Sequence, residues 1–124
     1  MEKSADQYLE AEGRGVGMYY GLASLAKEQG YEEIAEELLN LAQDEARHAG
    51  LYTVLNGRVP QDLFVFLTKL AELETEAENK IKAYAQQVRE LGLDEAAYKI
   101  DEAAEDEGKH GRVLKNLVKK YNKS

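Results

Sequence analysis

The sequence predicts an all-α fold: a bundle of four long helices built from one helical hairpin used twice. Three observations predict it. The 124 residues contain a single proline and no strand-like alternation. Four long stretches carry apolar residues at steps of three and four, the helical period. And the second half matches the first without a gap at a shift of 62 residues. At that shift Glu12/Glu74, Ala23/Ala85, Glu28/Glu90, Gly30/Gly92, Glu33/Glu95, Ala35/Ala97, Ala42/Ala104, Asp44/Asp106, Glu45/Glu107 and His48/His110 are identical. A repeated hairpin implies a pseudo-twofold axis relating the two halves.

The first helix is expected from about Ala5 to Glu28, with Ser4 and Gln7 spaced as a capping box. The second is expected from Glu32 to Leu55. The third runs from about Gln61 to Leu91, with Pro60 suited to a first-turn position. The fourth runs from about Asp94 to Tyr121. Gly30 and Gly92 mark the two hairpin turns. Residues 1–124 thus form one domain, with hairpin 1 over 4–55 and hairpin 2 over 61–121. Gly13, Gly17 and Gly21 share one face of the first helix and suggest close helix approach there.

Composition excludes several classes. Apolar residues make up 44% and charged residues 32%, too apolar for a disordered tail. No run of 18 uncharged apolar residues exists, so no membrane span is expected. No apolar signal region follows Met1, and a cytoplasmic location is expected. Without cysteine, disulfides, thiolate nucleophiles and cysteine-ligated iron are excluded from this chain. The net charge of −8 disfavours nucleic acid and anionic membranes as partners. It is compatible with cations.

The chemistry lies where charged residues interrupt the apolar stripes. The first stripe reads Leu9, Glu12, Val16, Tyr19, Ala23, Ala26. The second reads Ile34, Leu38, Leu41, Glu45, His48, Tyr52, Leu55. The third reads Leu63, Leu67, Leu70, Glu74, Ala77, Ile81, Tyr84, Val88, and the fourth Ile100, Ala103, Glu107, His110, Leu114, Leu117, Tyr121. One glutamate falls on each stripe, and the chain's only two histidines follow Glu45 and Glu107 by three residues. Four carboxylates on faces a bundle buries, with no lysine or arginine beside them, are costly unless a counter-charge is present. Two divalent cations balance four glutamates and two neutral imidazoles. Hard carboxylate oxygens with one imidazole per ion suit iron, or manganese as the alternative.

Glu12, Glu45, Glu74 and Glu107, with His48 and His110, are therefore the candidate ligands. Asp44 and Asp106 each precede a ligand glutamate and point about 100° away from it. Each is placed to accept the ring N–H of the histidine on the facing hairpin, Asp44 from His110 and Asp106 from His48. The alternative is a solvated acid beside Arg47 or Lys109. Tyr19 and Tyr84 are close enough in register to hydrogen-bond the ligand carboxylates. Gly15, one turn from Glu12, leaves room beside the metals.

At these residues the sequence resembles the di-iron domain of rubrerythrins, within the ferritin-like superfamily. The pattern is Glu12 followed seven residues later by Tyr19 and 33 later by Glu45 with His48, then Glu74 followed 33 later by Glu107 with His110. The resemblance covers nearly the whole chain. It implies a ferritin-like bundle, two iron ions per site, and reduction of hydrogen peroxide or dioxygen at the four glutamates. Glu45 and Glu107 would bridge, with Glu12 and Glu74 terminal. This chain lacks the cysteines of a rubredoxin module, so electrons would come from an external donor such as a rubredoxin or its reductase. The further glutamate that rubrerythrins carry three residues after the third ligand glutamate is replaced here by Ala77, whose repeat mate is Gly15. The ligand set is thus nearer to a bacterioferritin-type centre. Two rival roles follow: a ferroxidase that handles iron as cargo, and a metal that only locks the bundle.

A domain-swapped homodimer is also expected. The pseudo-twofold makes the second and third helices run in the same direction. A single chain closing on itself must then climb back roughly 28 Å, from His48 out to Leu55 and from Asp62 in to Glu74. Residues 56–61 reach only about 20 Å.

Overall fold

A computed structural model describes residues 2–122, and the side chains of residues 6–122. Within this span the chain is all-helical, with four helices: α1 Glu2–Glu28, α2 Glu32–Leu55, α3 Leu63–Glu90 and α4 Asp94–Tyr121. They form two compact units, the first ending at Val59 and the second beginning at Pro60. Each unit is one antiparallel hairpin, α1 on α2 and α3 on α4. None of the helices, among the described residues, is long and apolar enough to cross a membrane.

The turns follow from glycine. Gly30 and Gly92 adopt φ values of 86° and 82°, a region closed to most residues with a Cβ. At the first turn the Gly30 N–H donates to Lys27 O (3.1 Å) and the Tyr31 N–H to Ala26 O (2.8 Å). The second repeats this with Gly92 to Arg89 O (2.9 Å) and Leu93 to Val88 O (3.3 Å). This pair of bonds satisfies carbonyls that the helix end would otherwise orphan. Gly57 closes α2 in the same way.

Three expectations about the elements change. Helix α1 already begins at Glu2, so Ser4 lies inside it; the Ser4 side chain falls outside the described residues. Helix α3 begins at Leu63 rather than at Gln61, because Asp62 is its cap: the Asp62 carboxylate accepts the Val65 N–H at 3.2 Å. Pro60 therefore precedes the helix instead of opening it. And a Cβ on Gly13, Gly17 or Gly21 would meet nothing within 4 Å, so these glycines do not serve close approach inside their hairpin.

The core of each hairpin is a seam of small side chains. Ala23, Ala26, Ala35 and Ala42 are buried in the first hairpin, and Ala71, Ala85, Val88, Ala97 and Ala104 in the second. Three of these are identical pairs of the repeat: Ala23/Ala85, Ala35/Ala97 and Ala42/Ala104. Alanine lets two helix backbones approach and interlock along their length. The larger residues of the predicted stripes behave differently. Ile34, Leu41, Leu63, Tyr84 and Leu117 remain between 41% and 60% exposed. The reason is geometric: two helices bury only the line along which they touch, whereas an apolar stripe is wider than that line.

Candidate metal centre

Helix α1 presents Glu12 at the middle of the first hairpin, and α2 presents Glu45 and His48 on one face, three residues apart. Each offers one donor atom, and the three donors lie within 4.8 Å of one another. His48 Nδ1 stands 3.6 Å from Glu12 Oε2. The second hairpin repeats the arrangement with Glu74, Glu107 and His110. There His110 Nδ1 is 3.5 Å from Glu74 Oε2 and 4.0 Å from Glu107 Oε1. All six candidate ligands thus fall into two matched triads, one per hairpin. The glutamates are half-buried, and His110 is more open than His48, with side chains 56% and 43% exposed.

The electrostatics of each triad are unresolved by protein alone. Glu12 Oε2 and Glu74 Oε2 are buried and, among the described residues, have no hydrogen-bond partner. A buried oxygen left so is costly, since it has lost water and gained no donor. With both carboxylates of a pair ionised, neither can donate to the other. A proton on Glu45 supplies the missing donor, and its pKa is accordingly raised, first by that hydrogen bond to Glu12, then by desolvation and by repulsion from Glu12. Glu107 is raised by the same causes, with Glu74 as the neighbour. Paired carboxylates competing for one proton, beside an imidazole, fit a divalent cation, which would satisfy both oxygens at once.

Space for these groups is written into the glycines. A Cβ on Gly15 would sit 2.9 Å from Glu45 Oε2, so the bare backbone of α1 makes room for the Glu45 carboxylate. The expected place of Gly15 beside the site is thus filled by that carboxylate.

The secondary residues are less committed. Within its own hairpin Asp44 pairs with Arg47 at 3.2 Å, its side chain 52% exposed, and Asp106 is exposed. Tyr19 is half-buried and Tyr84 exposed. Among the described residues, neither tyrosine is hydrogen-bonded to a ligand carboxylate of its own hairpin.

Several features escaped the sequence reading. Glu78, four residues after Glu74, lays its carboxylate against the backbone of Gly108. A Cβ on Gly111 would sit 2.7 Å from Thr75 Oγ1 and 3.2 Å from Ala71 O, so α3 and α4 approach closely there. Asn56, only 2% exposed, donates to Asp6 Oδ1 (2.8 Å) and accepts the Arg58 N–H (3.1 Å), while Arg58 Nη2 reaches Asp6 Oδ2 at 2.7 Å. A comparison of the halves carries the signal: Val16/Glu78, Ala46/Gly108 and Asn56/Val118 are places where the repeat breaks.

The sequence profile of the rubrerythrin family matches residues 8–118. The chain belongs to the rubrerythrin family. An uncharacterized protein of Methanocaldococcus jannaschii is 33% identical over 121 residues, covering 98% of this chain and 86% of its own length. Reverse rubrerythrin-1 of Clostridium acetobutylicum is 32% identical over 107 residues, or 86% of this chain; the match spans 59% of the clostridial protein. No solved structure matches. The two carboxylate–histidine triads agree with membership in the rubrerythrin family, and these 124 residues hold no cysteine with which to build a rubredoxin module.

Proposed function

We propose that this rubrerythrin-family chain is a non-haem di-iron oxidoreductase that reduces hydrogen peroxide or dioxygen with electrons from an external donor such as a rubredoxin or its reductase. The observation that carries the reading is the pair of orphaned oxygens, Glu12 Oε2 and Glu74 Oε2, each inside a triad of two glutamates and a histidine. Glu12, Glu45 and His48 would hold one iron, and Glu74, Glu107 and His110 the other, with manganese as the alternative metal. Bound iron would supply the electron-transfer chemistry that reduction of peroxide or dioxygen needs. The protein's part is to hold two carboxylates beside one imidazole in each hairpin, Glu12 and Glu45 with His48 and Glu74 and Glu107 with His110. Asp44 and Asp106 would orient the histidines, and Tyr19 and Tyr84 the carboxylates. A cytoplasmic setting goes with this reading.

The working unit in this proposal is a homodimer with exchanged hairpins. The caps strengthen the length argument. Asn56, Gly57 and Arg58 are taken up by the end of α2, where the Arg58 N–H bonds Thr53 O at 3.4 Å. Only residues 59–62 remain to connect the hairpins, reaching about 14 Å. A return from Leu55 past His48 and from Leu63 to Glu74 needs roughly 27 Å of helix length.

Stopped-flow oxidation of the diferrous protein by hydrogen peroxide and by dioxygen tests the function, with the retained iron counted afterwards. Iron that stays bound and cycles supports it. A second reading, ferroxidase and iron handling, is favoured by Ala77 and Gly15, which leave the site without a further carboxylate at those positions. It predicts turnover of more than two irons per site. Inert metal would mean a structural role only.

A further inference from the structure

Two positions of the repeat change together. Val16 and Ala46 of the first hairpin correspond to Glu78 and Gly108 of the second. The structure links the second pair physically. Gly108 is buried on α4, and its bare Cα faces the Glu78 carboxylate on α3. A Cβ there would lie 2.5 Å from Glu78 Cδ and 2.7 Å from Oε1, closer than real carbon atoms approach. Alanine, present at position 46, is therefore shut out at position 108 while Glu78 keeps its place. Glu78 lies one helical turn beyond Glu74 on the same face, and Gly108 directly follows Glu107. A third carboxylate thus rests against the stretch of α4 that carries Glu107 and His110. Its side chain is 23% exposed, and its cationic neighbour, Lys82 at 3.6 Å, is 51% exposed. An ion pair with so open a partner is weakened by solvent and salt. The first hairpin has valine in this position and no charge.

We propose that Glu78 makes the two metal positions unequal, so that the cation held by Glu74, Glu107 and His110 binds more tightly and first. This rests on the metal-centre reading above. An added negative charge near a dication, in surroundings less polar than water, raises affinity on the order of tenfold. The uncharged counterpart at Val16 gives the other position no such gain.

The test is calorimetric titration of the metal-free protein with Co²⁺, which does not oxidise during the measurement. Wild type should show two steps separated by about tenfold in affinity. His110→Ala should abolish the tighter step and His48→Ala the weaker. Glu78→Gln, which keeps the shape and removes the charge, should bring the steps together. So should Glu78→Val with Gly108→Ala, which installs the residues of the first hairpin; circular dichroism confirms that it folds. Two equal steps in wild type, or a separation that survives both variants, overturns the proposal. Absence of any Co²⁺ binding instead overturns the metal centre itself.

Discussion

Glu12 Oε2 lies 3.6 Å from His48 Nδ1, buried and without a hydrogen-bond donor. A carboxylate oxygen and an imidazole nitrogen held this close are placed as two ligands to one cation. The same relationship recurs between Glu74 and His110 at 3.5 Å. Duplication of so costly an arrangement argues that the missing positive charge comes from outside the polypeptide.

Metal should therefore stabilise the fold as well as equip it. At a free concentration one hundred times its dissociation constant, a bound ion contributes about 2.7 kcal/mol. Thermal unfolding with and without Mn²⁺ or Co²⁺ should show a clear rise in Tm, with two ions bound per set of four glutamates and two histidines. Glu45→Ala and His110→Ala should each lower occupancy sharply. Full metal retention in Glu12→Ala, Glu45→Ala, Glu74→Ala and Glu107→Ala alike would rule out the centre.

The pH dependence should reverse sign between metal-free and metal-loaded protein. In the metal-free state Glu45 and Glu107 have pKa values raised above 4.5. A raised carboxylate pKa means that folding favours the protonated form. That stability is fully present below pH 4.5 and is lost as pH rises through the raised values. Metal needs the ionised form, so in loaded protein acid destabilises. Urea unfolding across pH 4–7 should show the gap between loaded and metal-free protein widening as pH rises. Binding should also release protons, seen by calorimetry in buffers of different ionisation enthalpy. A constant gap and no proton release would argue against these ligands.

Much of this was legible in the sequence because the repeat and the helical period are both one-dimensional signals. Glu12, Glu45, His48 and their counterparts were found by stripe and spacing, and the structure gathers them into two triads. Gly30 and Gly92 stand at the turns as their spacing implied. Contacts between neighbouring helices were not legible. The fit of Glu78 to Gly108 and of Thr75 to Gly111 depends on the rotation of one helix against its neighbour, which the period alone leaves free. The cap at Asp62 was hidden by Pro60, a stronger apparent start signal two residues earlier. Ala23, Ala26 and Val88 lie on the expected stripes and are buried, whereas Ala35, Ala42, Ala71, Ala85, Ala97 and Ala104 lie off them, because helix contact within a hairpin selects small residues.

The seam should accordingly resist enlargement. Ala42 and Ala104 are fully buried where their helices meet. Ala104→Leu should destabilise by about 1–3 kcal/mol, since added methylenes have no space to enter. Chemical denaturation measures the loss. Ala83→Leu, exposed and on the side of α3 away from its apolar stripe, is the control and should change stability by less than about 0.5 kcal/mol.

The buried amide of Asn56 should matter more than its place at a helix end suggests. It joins Asp6 to the backbone at Arg58, and its counterpart in the second hairpin is Val118. Asn56→Ala would leave the Arg58 N–H and Asp6 Oδ1 each without this partner, a loss of about 1–3 kcal/mol. Asp6→Asn, which keeps an acceptor for the amide, should cost less. Equal stability of Asn56→Ala and wild type in urea would show that the cluster contributes nothing.

The exchanged dimer makes the sharpest prediction, because two broken chains should repair each other. Each hairpin carries half of the ligand set, three donors out of six. If the hairpins of one bundle come from different chains, a dimer of Glu45→Ala and Glu107→Ala chains contains one bundle with both lesions and one with neither. Each variant alone has a lesion in every bundle. Unfolding the two together and refolding them should therefore restore intact metal centres, about half of those in each mixed dimer, measured as tightly bound iron and as peroxide-driven oxidation. The repair requires exchange during refolding, so mixing the folded variants should restore far less at first. Chains that close on themselves would show no repair under either protocol, and light scattering would report 13.9 kDa rather than twice that mass. That result would remove the exchanged dimer and leave each triad standing, since Glu12, Glu45 and His48 come together within one hairpin.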